Sequence, residues 1–262
     1  MTPSKPRVVT SRAAGPDLSD LRGPFLLGLL GGDEVSVEGI VETSRARGAD
    51  TALVVRDLVS PALGEVGRMW SRGEASIAEE HLATALASRV LARTSGRVAA
   101  ARGPLRRIVF ACLAGEFHEL AIRFLADVAR ECGWDGESLG ANIPRESLVA
   151  FVAQRPPDAL ALSIGLAGHL PEAARTIQEV RAAAPGVTLL VGGHAVCEDP
   201  ERIALTGADA GICDAVALRD WLRAHAKAPA RKGEAGTDAA RCRGGLPAEM
   251  PAALRARCCK PR

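Results

Sequence analysis

The chain has 262 residues, of which 47% are hydrophobic and 24% charged, with a formal net charge of +2. This composition is typical of a globular protein with a sizeable core and excludes a chain that is disordered throughout. No apolar run reaches the roughly 18 to 20 residues of a membrane-spanning helix, and the N-terminus lacks the apolar block of a secretory signal. We therefore expect a cytoplasmic protein with two domains.

The first predicted domain, residues 20–98, is helical throughout. The second of its four helical patterns ends at Gly48, and the third is interrupted only at Pro61. The fourth begins with a capping box in which Ser76 caps the helix and Glu79 reciprocates three residues later. Four helices of this length with short connections predict a four-helix bundle.

A linker at 99–106 separates the bundle from a second domain, 107–225, in which short apolar strands alternate with helices. This alternation predicts an α/β fold with a five-stranded parallel, doubly wound sheet of the Rossmann-like or flavodoxin-like kind. Ligands of such sheets gather at the carboxyl ends of the strands. The expected strands are 107–113, 136–139, 159–164, 188–191 and 210–213, and the expected helices are 117–131, 145–153, 172–183, 200–205 and 215–226.

The two ends of the chain, 1–19 and 226–262, are predicted to be disordered. The C-terminal segment carries nine Lys and Arg residues against three acids, a net charge of +6, and few large apolar residues. We interpret it as a solubilising extension, with weak contact to DNA or to an acidic partner as the alternative.

Seven cysteines are present, and none forms a CxxC pair. Those within apolar segments are expected to be single reduced thiols that act as small hydrophobes. The three in the tail could instead bind a metal or form a redox bridge, although they lack ligand spacing. The first group is Cys112, Cys132, Cys197 and Cys213, and the second is Cys242, Cys258 and Cys259.

The stretch GEFHEL, residues 115–120, places a histidine at the carboxyl end of the first predicted strand of the sheet. A histidine satisfied by local hydrogen bonds is one interpretation of His118. Alternatively, Glu116 accepts a hydrogen bond from one ring nitrogen and leaves the other free to bind a metal. One histidine and one carboxylate are too few for zinc, but a metal already chelated in a macrocycle needs only one protein ligand.

GEFHEL, ESLGANIPRESL, ALALSIGL and LLVGGH occur in this order and resemble the cobalamin-binding module shared by methionine synthase and its relatives. The resemblance implies that His118 is the lower axial ligand of cobalt and Glu116 its hydrogen-bond partner. Ala121 stands where the family has glycine, and Glu116 where it usually has aspartate. The other cofactor-binding residues implied are Phe117, Leu139, Gly140, Ser163, Gly165, Val191, Gly192 and Gly193. Of these, Ser163, Gly165, Gly192 and Gly193 are expected to line a slot for the displaced nucleotide tail. His169 and His194 are further candidates at the rim of this slot.

WSRGEASIAEEH places Trp70 ten and eleven residues before Glu80 and His81. A core aromatic and a solvated helix start are the structural interpretation. In context, the spacing resembles the helical cap of B12-dependent photoreceptors of the CarH and LitR type, which implies that the three side chains lie above the corrin. Those photoreceptors have a histidine where Ser71 stands. Because about twenty residues precede the bundle, we expect the stand-alone architecture of AerR and PpaA type antirepressors rather than a fused DNA-binding domain.

These resemblances imply a cobalamin-binding sensor of light or cofactor that regulates transcription through a partner protein. Adenosylcobalamin is the expected cofactor, with methylcobalamin and hydroxocobalamin as alternatives, and light-induced cobalt–carbon cleavage is expected to change the cap or the oligomeric state. The chain is not expected to be an enzyme or to bind membranes, and it can form homo-oligomers. The alternatives are a corrinoid methyl carrier for a methyltransferase system and an interaction domain that has lost its cofactor.

Overall fold

The computed structural model describes residues 7–9, 15–94 and 105–226. Within these residues, the helical region has the four helical segments that the sequence predicts. The capping box at the start of the last segment is also confirmed, because Glu79 accepts hydrogen bonds from both the backbone N–H and the hydroxyl of Ser76, each at 2.7 Å. The segments are α1 (Ser19–Gly31), α2 (Glu34–Ala46), α3 (Thr51–Val54) continued by a π-helical turn (Val55–Val59) into α4 (Ser60–Ser71), and α5 (Ile77–Thr94).

The third segment continues past Pro61 because its backbone is satisfied in another way. Proline has no N–H, so the carbonyl of Asp57, four residues earlier, has no helical partner. Arg22 of α1 donates its Nε–H to that carbonyl at 3.0 Å. The π-turn lies immediately before the proline, which is where such turns absorb a local disruption of the hydrogen-bond ladder.

The sheet has six parallel strands in the described region rather than the five predicted. The additional strand, β1 (Arg7–Val9), pairs with β6 at the edge of the sheet, with Val8 opposite Gly211. Residues 7–9 fall in the segment expected to be disordered, so that expectation is wrong for them, and 1–6 and 10–14 lie outside the described residues. The other strands are β2 (Arg107–Cys112), β3 (Asp135–Ser138), β4 (Ala159–Ser163), β5 (Thr188–Gly192) and β6 (Ala210–Ile212).

The strand order β1-β6-β5-β4-β2-β3 places β2 beside β4 in the middle of the sheet. The chain proceeds from β2 to one side and from β4 to the other, so this is the switch point at which doubly wound sheets form a ligand crevice. The helices of this domain are α6 (Leu120–Glu131), α7 (Arg145–Gln154), α8 (Leu170–Ala183) with a preceding 3₁₀ turn (Ala167–His169), α9 (His194–Cys197), α10 (Arg202–Thr206) and α11 (Ala215–His225).

The two faces of the sheet contribute to different cores. Ile108, Phe110 and Cys112 of β2 belong to one continuous apolar core with the four helical segments. Val109 and Ala111 point to the opposite face and pack with α7 and α8. The bundle therefore lies on one face of the sheet. No helix of the described ranges is both long enough and apolar enough to cross a membrane.

Polar side chains of the sheet domain hold the start of α3. Asp50 caps this helix by accepting the N–H of Leu53 at 3.0 Å, and its other carboxylate oxygen accepts a hydrogen bond from Arg219 of α11 at 2.9 Å. Glu131 of α6 accepts the N–H of Thr51 at 3.1 Å and also its hydroxyl proton. These contacts fix the helical region to the sheet domain at one end of α3.

The cysteines differ from the sequence expectation in one pair. Cys197 and Cys213 form a disulfide, so the prediction of single thiols is wrong for both. Cys112 and Cys132 are free, as predicted, and the three tail cysteines lie outside the described residues. The pairing depends on the neighbouring positions of β5 and β6, which the sequence spacing does not reveal.

Candidate functional site

A buried carboxylate and an exposed imidazole form the centre of the site. Glu116 is 1% exposed at the carboxyl end of β2, whereas the His118 side chain is 81% exposed. The ring Nδ1 of His118 lies 2.5 Å from Oε1 of Glu116, and the backbone N–H of His118 donates to the same oxygen at 3.1 Å. Oε2 of Glu116 accepts the N–H of Gly165 at 2.7 Å. The expected hydrogen bond between Glu116 and His118 is therefore confirmed.

The electrostatics of Glu116 favour its ionised form. Burial raises the pKa of this carboxyl, but the backbone N–H and imidazole of His118 and the N–H of Gly165 outweigh burial, so the pKa lies below its usual value. A carboxylate at this position accepts the Nδ1 proton of His118 and directs Nε2 away from the protein backbone. His118 is thus held as a single ligand with one free nitrogen.

The loop around Glu116 is held by a residue that the sequence analysis did not single out. Asn142 adopts a positive φ of 53°, the only non-glycine residue in the described ranges to do so. Its Oδ1 accepts the N–H of Gly115 at 2.8 Å, and its own N–H donates to the carbonyl of Glu116 at 2.9 Å. Asparagine tolerates this conformation better than most residues, so the GAN sequence was the available signal.

A second histidine lies close to the same carboxylate. Nδ1 of His169 is 3.5 Å from Oε2 of Glu116, and this buried nitrogen makes no hydrogen bond. His169 therefore lies beside the Glu116 carboxylate, whereas the sequence predicted a position at the rim of the slot for the nucleotide tail. His194, the other rim candidate, is exposed and pairs with Glu198 at 3.0 Å.

A large cavity of about 1020 Å³, here called the cap cavity, lies between the helical region and the start of α6. His81 and Glu80 are joined by a 2.5 Å contact, and the hydroxyl of Thr84 donates to Glu80 at 3.0 Å, which orients the carboxylate. The structure thus brings together residues that are separated in sequence by nearly fifty positions. The lining of the cap cavity includes Trp70, Ile77, Glu80, His81, Phe117 and His118.

A smaller cavity of about 300 Å³, here called the sheet cavity, lies between the π-turn, α6 and the carboxyl ends of β4, β5 and β6. Leu63, Leu120 and Ala121 line both cavities, so the two adjoin at the position where the related module has glycine. Most of the sheet cavity is apolar. Among the predicted site residues, its lining contains Ser163, Val191, Gly192 and Gly193.

The two glycines at the end of β5, Gly192 and Gly193, are required by the packing of the protein backbone. A Cβ on Gly193, whose φ is 98°, would lie 2.6 Å from the carbonyl oxygen of Ile164. A Cβ on Gly192 would lie 2.6 Å from the carbonyl oxygen of Ile212. The expected reason for glycine was space for a cofactor tail, and the structure supplies this second reason, which holds without any ligand.

Three predicted site residues lie elsewhere. Gly165 lies against the Glu116 carboxylate and does not line either cavity. Leu139 and Gly140 are also outside the lining of both cavities, and the carbonyl of Gly140 accepts the N–H of Cys112 at 3.1 Å. Gly165 therefore contacts the Glu116 carboxylate, and Leu139 and Gly140 contact the backbone of β2.

The donor set at the site fits a metal that arrives already chelated. Within the described residues, no group of three or more His, Cys, Asp or Glu side chains could hold a metal ion. His118 offers one imidazole nitrogen at the edge of a wide cavity, and Glu116 orients it. That arrangement suits a flat macrocycle with one open axial position, whereas a bare ion needs more ligands.

Family comparisons agree with this chemistry. Residues 106–217 match the family described as "B12 binding domain", and residues 24–94 match a second family with the same description. The two matches cover the sheet domain and most of the helical region. The chain belongs to the B12-binding domain proteins.

Individual relatives refine this assignment. The chain is 32% identical over 150 residues to the "HTH-type transcriptional repressor CarH" of Myxococcus xanthus, which covers 54% of this chain and 49% of the relative. It therefore spans about half the length of that curated relative.

Two solved structures are similar. The Methanosarcina barkeri monomethylamine corrinoid protein matches with a TM-score of 0.63 and 15% identity over 79% of this chain and 99% of that one, which shows a shared fold. A cobalamin-binding protein from Desulfitobacterium hafniense DCB-2 matches with a TM-score of 0.42 and 20% identity over 79% of this chain and 98% of that one.

Proposed function

We propose that this chain binds adenosylcobalamin with His118 below the cobalt and senses light or the cofactor itself, controlling transcription through a partner protein. The observation that supports it is the convergence of Trp70, Glu80 and His81 on the cavity that also contains His118. When bound, the cofactor supplies a cobalt–carbon bond that light can break. The proposed domains are a cap over 20–98 and a cobalamin-binding domain over 107–225.

The lower face of the proposed site is organised by the sheet domain. Glu116 holds the His118 ring through Nδ1 and leaves Nε2 free, so that this nitrogen would hold the cobalt of a bound cobalamin. Gly165 and the backbone N–H of His118 keep this carboxylate in place. We propose that Ser163, Gly192 and Gly193 receive the nucleotide tail in the sheet cavity, whose volume is at the lower end of those of ordinary ligand pockets.

The upper face is formed by the helical cap. Glu80 is held by Thr84 and His81, while Trp70 presents a half-exposed ring to the same space. A group seated there contacts α4 and α5 from one side while His118 holds the cofactor from the other. Loss of that group removes contacts that favour one position of the cap, and a partner that prefers either position converts the change into regulation.

The comparison with a repressor supports a partner that acts in transcription. The curated relative is named as a transcriptional repressor, and we propose that this chain acts on transcription by binding a regulator protein or by forming homo-oligomers. In this proposal it is a regulatory protein and has no catalytic residues. The basic C-terminal segment, which could contact DNA, lies outside the described residues.

The second candidate is a corrinoid methyl carrier, favoured by the openness of the cap cavity. The side chain of His118 is 81% exposed, and Phe117 and Trp70 are 67% and 51% exposed. A methyltransferase could therefore approach the upper face. The solved corrinoid protein with the same fold is named for monomethylamine. In this role His118 tunes the cobalt while the partner enzyme performs the transfer.

Spectroscopy of the loaded protein separates these functions. Purified protein is mixed in the dark with adenosylcobalamin, desalted, and its absorption and elution volume are recorded before and after green light. We expect a retained corrinoid spectrum that shifts with light together with a changed elution volume, and His118→Ala should alter the dark spectrum. A retained spectrum that responds to light only as the free cofactor does would favour the carrier. A colourless protein would reject cobalamin binding.

A further inference from the structure

Two cysteines outside the proposed axial-ligand site meet beside the sheet cavity. Cys197 is the last residue of α9, and Cys213 directly follows β6. Their Cα atoms are 5.2 Å apart, within the usual range for a disulfide, and the structure joins them. They become neighbours because β5 and β6 are adjacent parallel strands, with Gly192 opposite Ile212.

The disulfide connects two segments that form one wall of the sheet cavity. Gly193 lines this cavity and precedes α9, while Cys213 and Asp214 line it at the start of α11. Asp214 caps α11 by accepting the N–H of Ala217 at 2.7 Å. The bond therefore holds the turn after β5 against the beginning of α11, and its presence or absence changes how firmly this wall is held.

Cys213 is also the most accessible of the described cysteines. Cys213 is exposed and Cys197 is partly exposed. Cys112 is fully buried, and burial raises the pKa of its thiol to about 12. Burial also raises the pKa of Cys132. Because Cys213 is the exposed one of these cysteines, an oxidant in solution reaches it more readily than Cys112 or Cys132.

We propose that Cys197 and Cys213 are a redox-modification site whose disulfide form holds the nucleotide tail in the sheet cavity more tightly than the dithiol form. The oxidant is a low-molecular-weight disulfide such as oxidised glutathione. The Cys213 thiolate attacks it, forming a mixed disulfide and releasing one thiol, and the Cys197 thiolate then attacks the Cys213 sulfur and releases the second. Two protons and two electrons pass from the cysteine pair to the two released thiols.

The disulfide form should bind the nucleotide tail more tightly because it is preorganised. In the disulfide form, α9 and the start of α11 are already fixed together, whereas in the dithiol form they must be ordered when the tail binds. The coupling is reciprocal, so a bound tail must stabilise the disulfide by the same factor. This inference rests on the proposed cobalamin binding, because it takes the tail of that cofactor as the occupant.

The test uses the full chain with Cys242, Cys258 and Cys259 changed to Ser, equilibrated in the dark in glutathione buffers of different ratio. Peptide mass mapping reports the Cys197–Cys213 bond. Binding of cobalamin is compared with binding of cobinamide, which lacks the nucleotide tail. We expect cobalamin to bind about fivefold or more tightly to the oxidised form, and cobinamide to bind both forms equally.

A matched variant and a second measurement complete the design. Cys197→Ser, whose side chain does not line the sheet cavity, should bind cobalamin as the reduced protein does and lose the redox response. A fivefold coupling should also lower the reduction potential of the disulfide in the cobalamin-loaded protein by about 21 mV. This titration needs no variant at position 197 or 213.

The outcomes are distinguishable. Failure of oxidised glutathione to form the Cys197–Cys213 bond would overturn the modification site. Formation of the bond with equal cobalamin affinity in both forms, or an equal redox effect on cobinamide, would overturn its action on the tail. If the bond forms but neither corrinoid binds in either form, the proposed function fails and the gating of the tail is overturned with it.

Discussion

The helix that runs from α3 through the π-turn into α4 is held very differently at its two ends. At the first end, Asp50 and Thr51 are bound by Arg219 and Glu131 of the sheet domain. At the other end, Trp70 is 51% exposed and faces the cap cavity. A helix fixed at one end and exposed at the other can change position at Trp70 while staying attached to the sheet domain.

The π-turn lies between the two ends and lines the sheet cavity through Val55 and Val59. π-turns inside helices are frequent at functional sites because they contain a local irregularity in the hydrogen-bond ladder. The same helix therefore lines the sheet cavity near its middle and the cap cavity near its end. The helix is therefore held to the sheet domain by polar contacts at the start of α3 and is exposed at Trp70, and three substitutions test how firmly the helical region is held at different places.

The largest effect on stability is expected at the fixed end. Asp50→Ala removes the cap of α3 and one carboxylate partner of Arg219, whose side chain is 5% exposed, so the free energy of unfolding should fall by about 2–3 kcal/mol. Urea unfolding measures this loss. Asp50→Asn is the matched control, because asparagine still caps the helix but lacks the charge, and it should cost less. Unchanged stability in both variants would show that this end is not an anchor.

A smaller loss of stability is expected from a substitution at the start of α5. Ser76→Ala removes the hydroxyl that caps this helix and should cost about 1 kcal/mol at neutral pH. The N–H of Ser76, followed by its hydroxyl, holds the pKa of Glu79 below its usual 4.5. The capping contribution of Glu79 is therefore full above 4.5 and is lost as the pH falls through the lower folded-state pKa.

Urea unfolding at neutral pH and below about pH 4 checks this dependence. The difference between wild type and Ser76→Ala should shrink at the acidic pH. Protonation of Glu79 weakens its hydrogen bond with the Ser76 hydroxyl, and only the wild type has that bond to lose. A difference that grows on acidification would contradict the capping geometry.

The smallest loss of stability is expected at the open end. Trp70→Ala should change the free energy of unfolding of the cofactor-free protein by no more than about 1 kcal/mol, because half of the side chain is already exposed. The same variant should retain adenosylcobalamin less well, since the ring lines the cap cavity. Desalting after loading measures retention. A large loss of stability without the cofactor would show that this end is held as firmly as the start of α3.

Local patterns were sufficient for much of the fold. The helical period and the Ser76–Glu79 box identified the bundle, and the other five strands, β2 to β6, were found from short apolar runs. The sequence did not predict the edge strand Arg7–Val9, because its only partner among the described strands, β6, is far away along the chain and no local pattern indicates the pairing. It also did not identify the π-turn, or the hydrogen bond that Arg22 of another helix donates to the carbonyl of Asp57 within that turn.

In the candidate site, too, contacts between residues close in the chain were predicted and contacts between distant segments were not. Glu116 and His118 are two residues apart, so their hydrogen bond could be predicted from spacing at the end of a strand. Asn142 and His169 were not assigned to Glu116, although Asn142 donates to its backbone carbonyl and His169 lies beside its carboxylate. Both residues come from loops that only the sheet topology brings close to Glu116.

The sequence by itself determined the α/β class with its helical cap, the pairing of Glu116 with His118, and the residues that resemble a cobalamin site. These depend on periodicity and on contacts between residues close in the chain. Only the tertiary structure decided the sixth strand, the Cys197–Cys213 bond, and the attachment of Asp50 to Arg219. These contacts join distant segments, and their geometry is set by how the strands and helices pack rather than by any local preference.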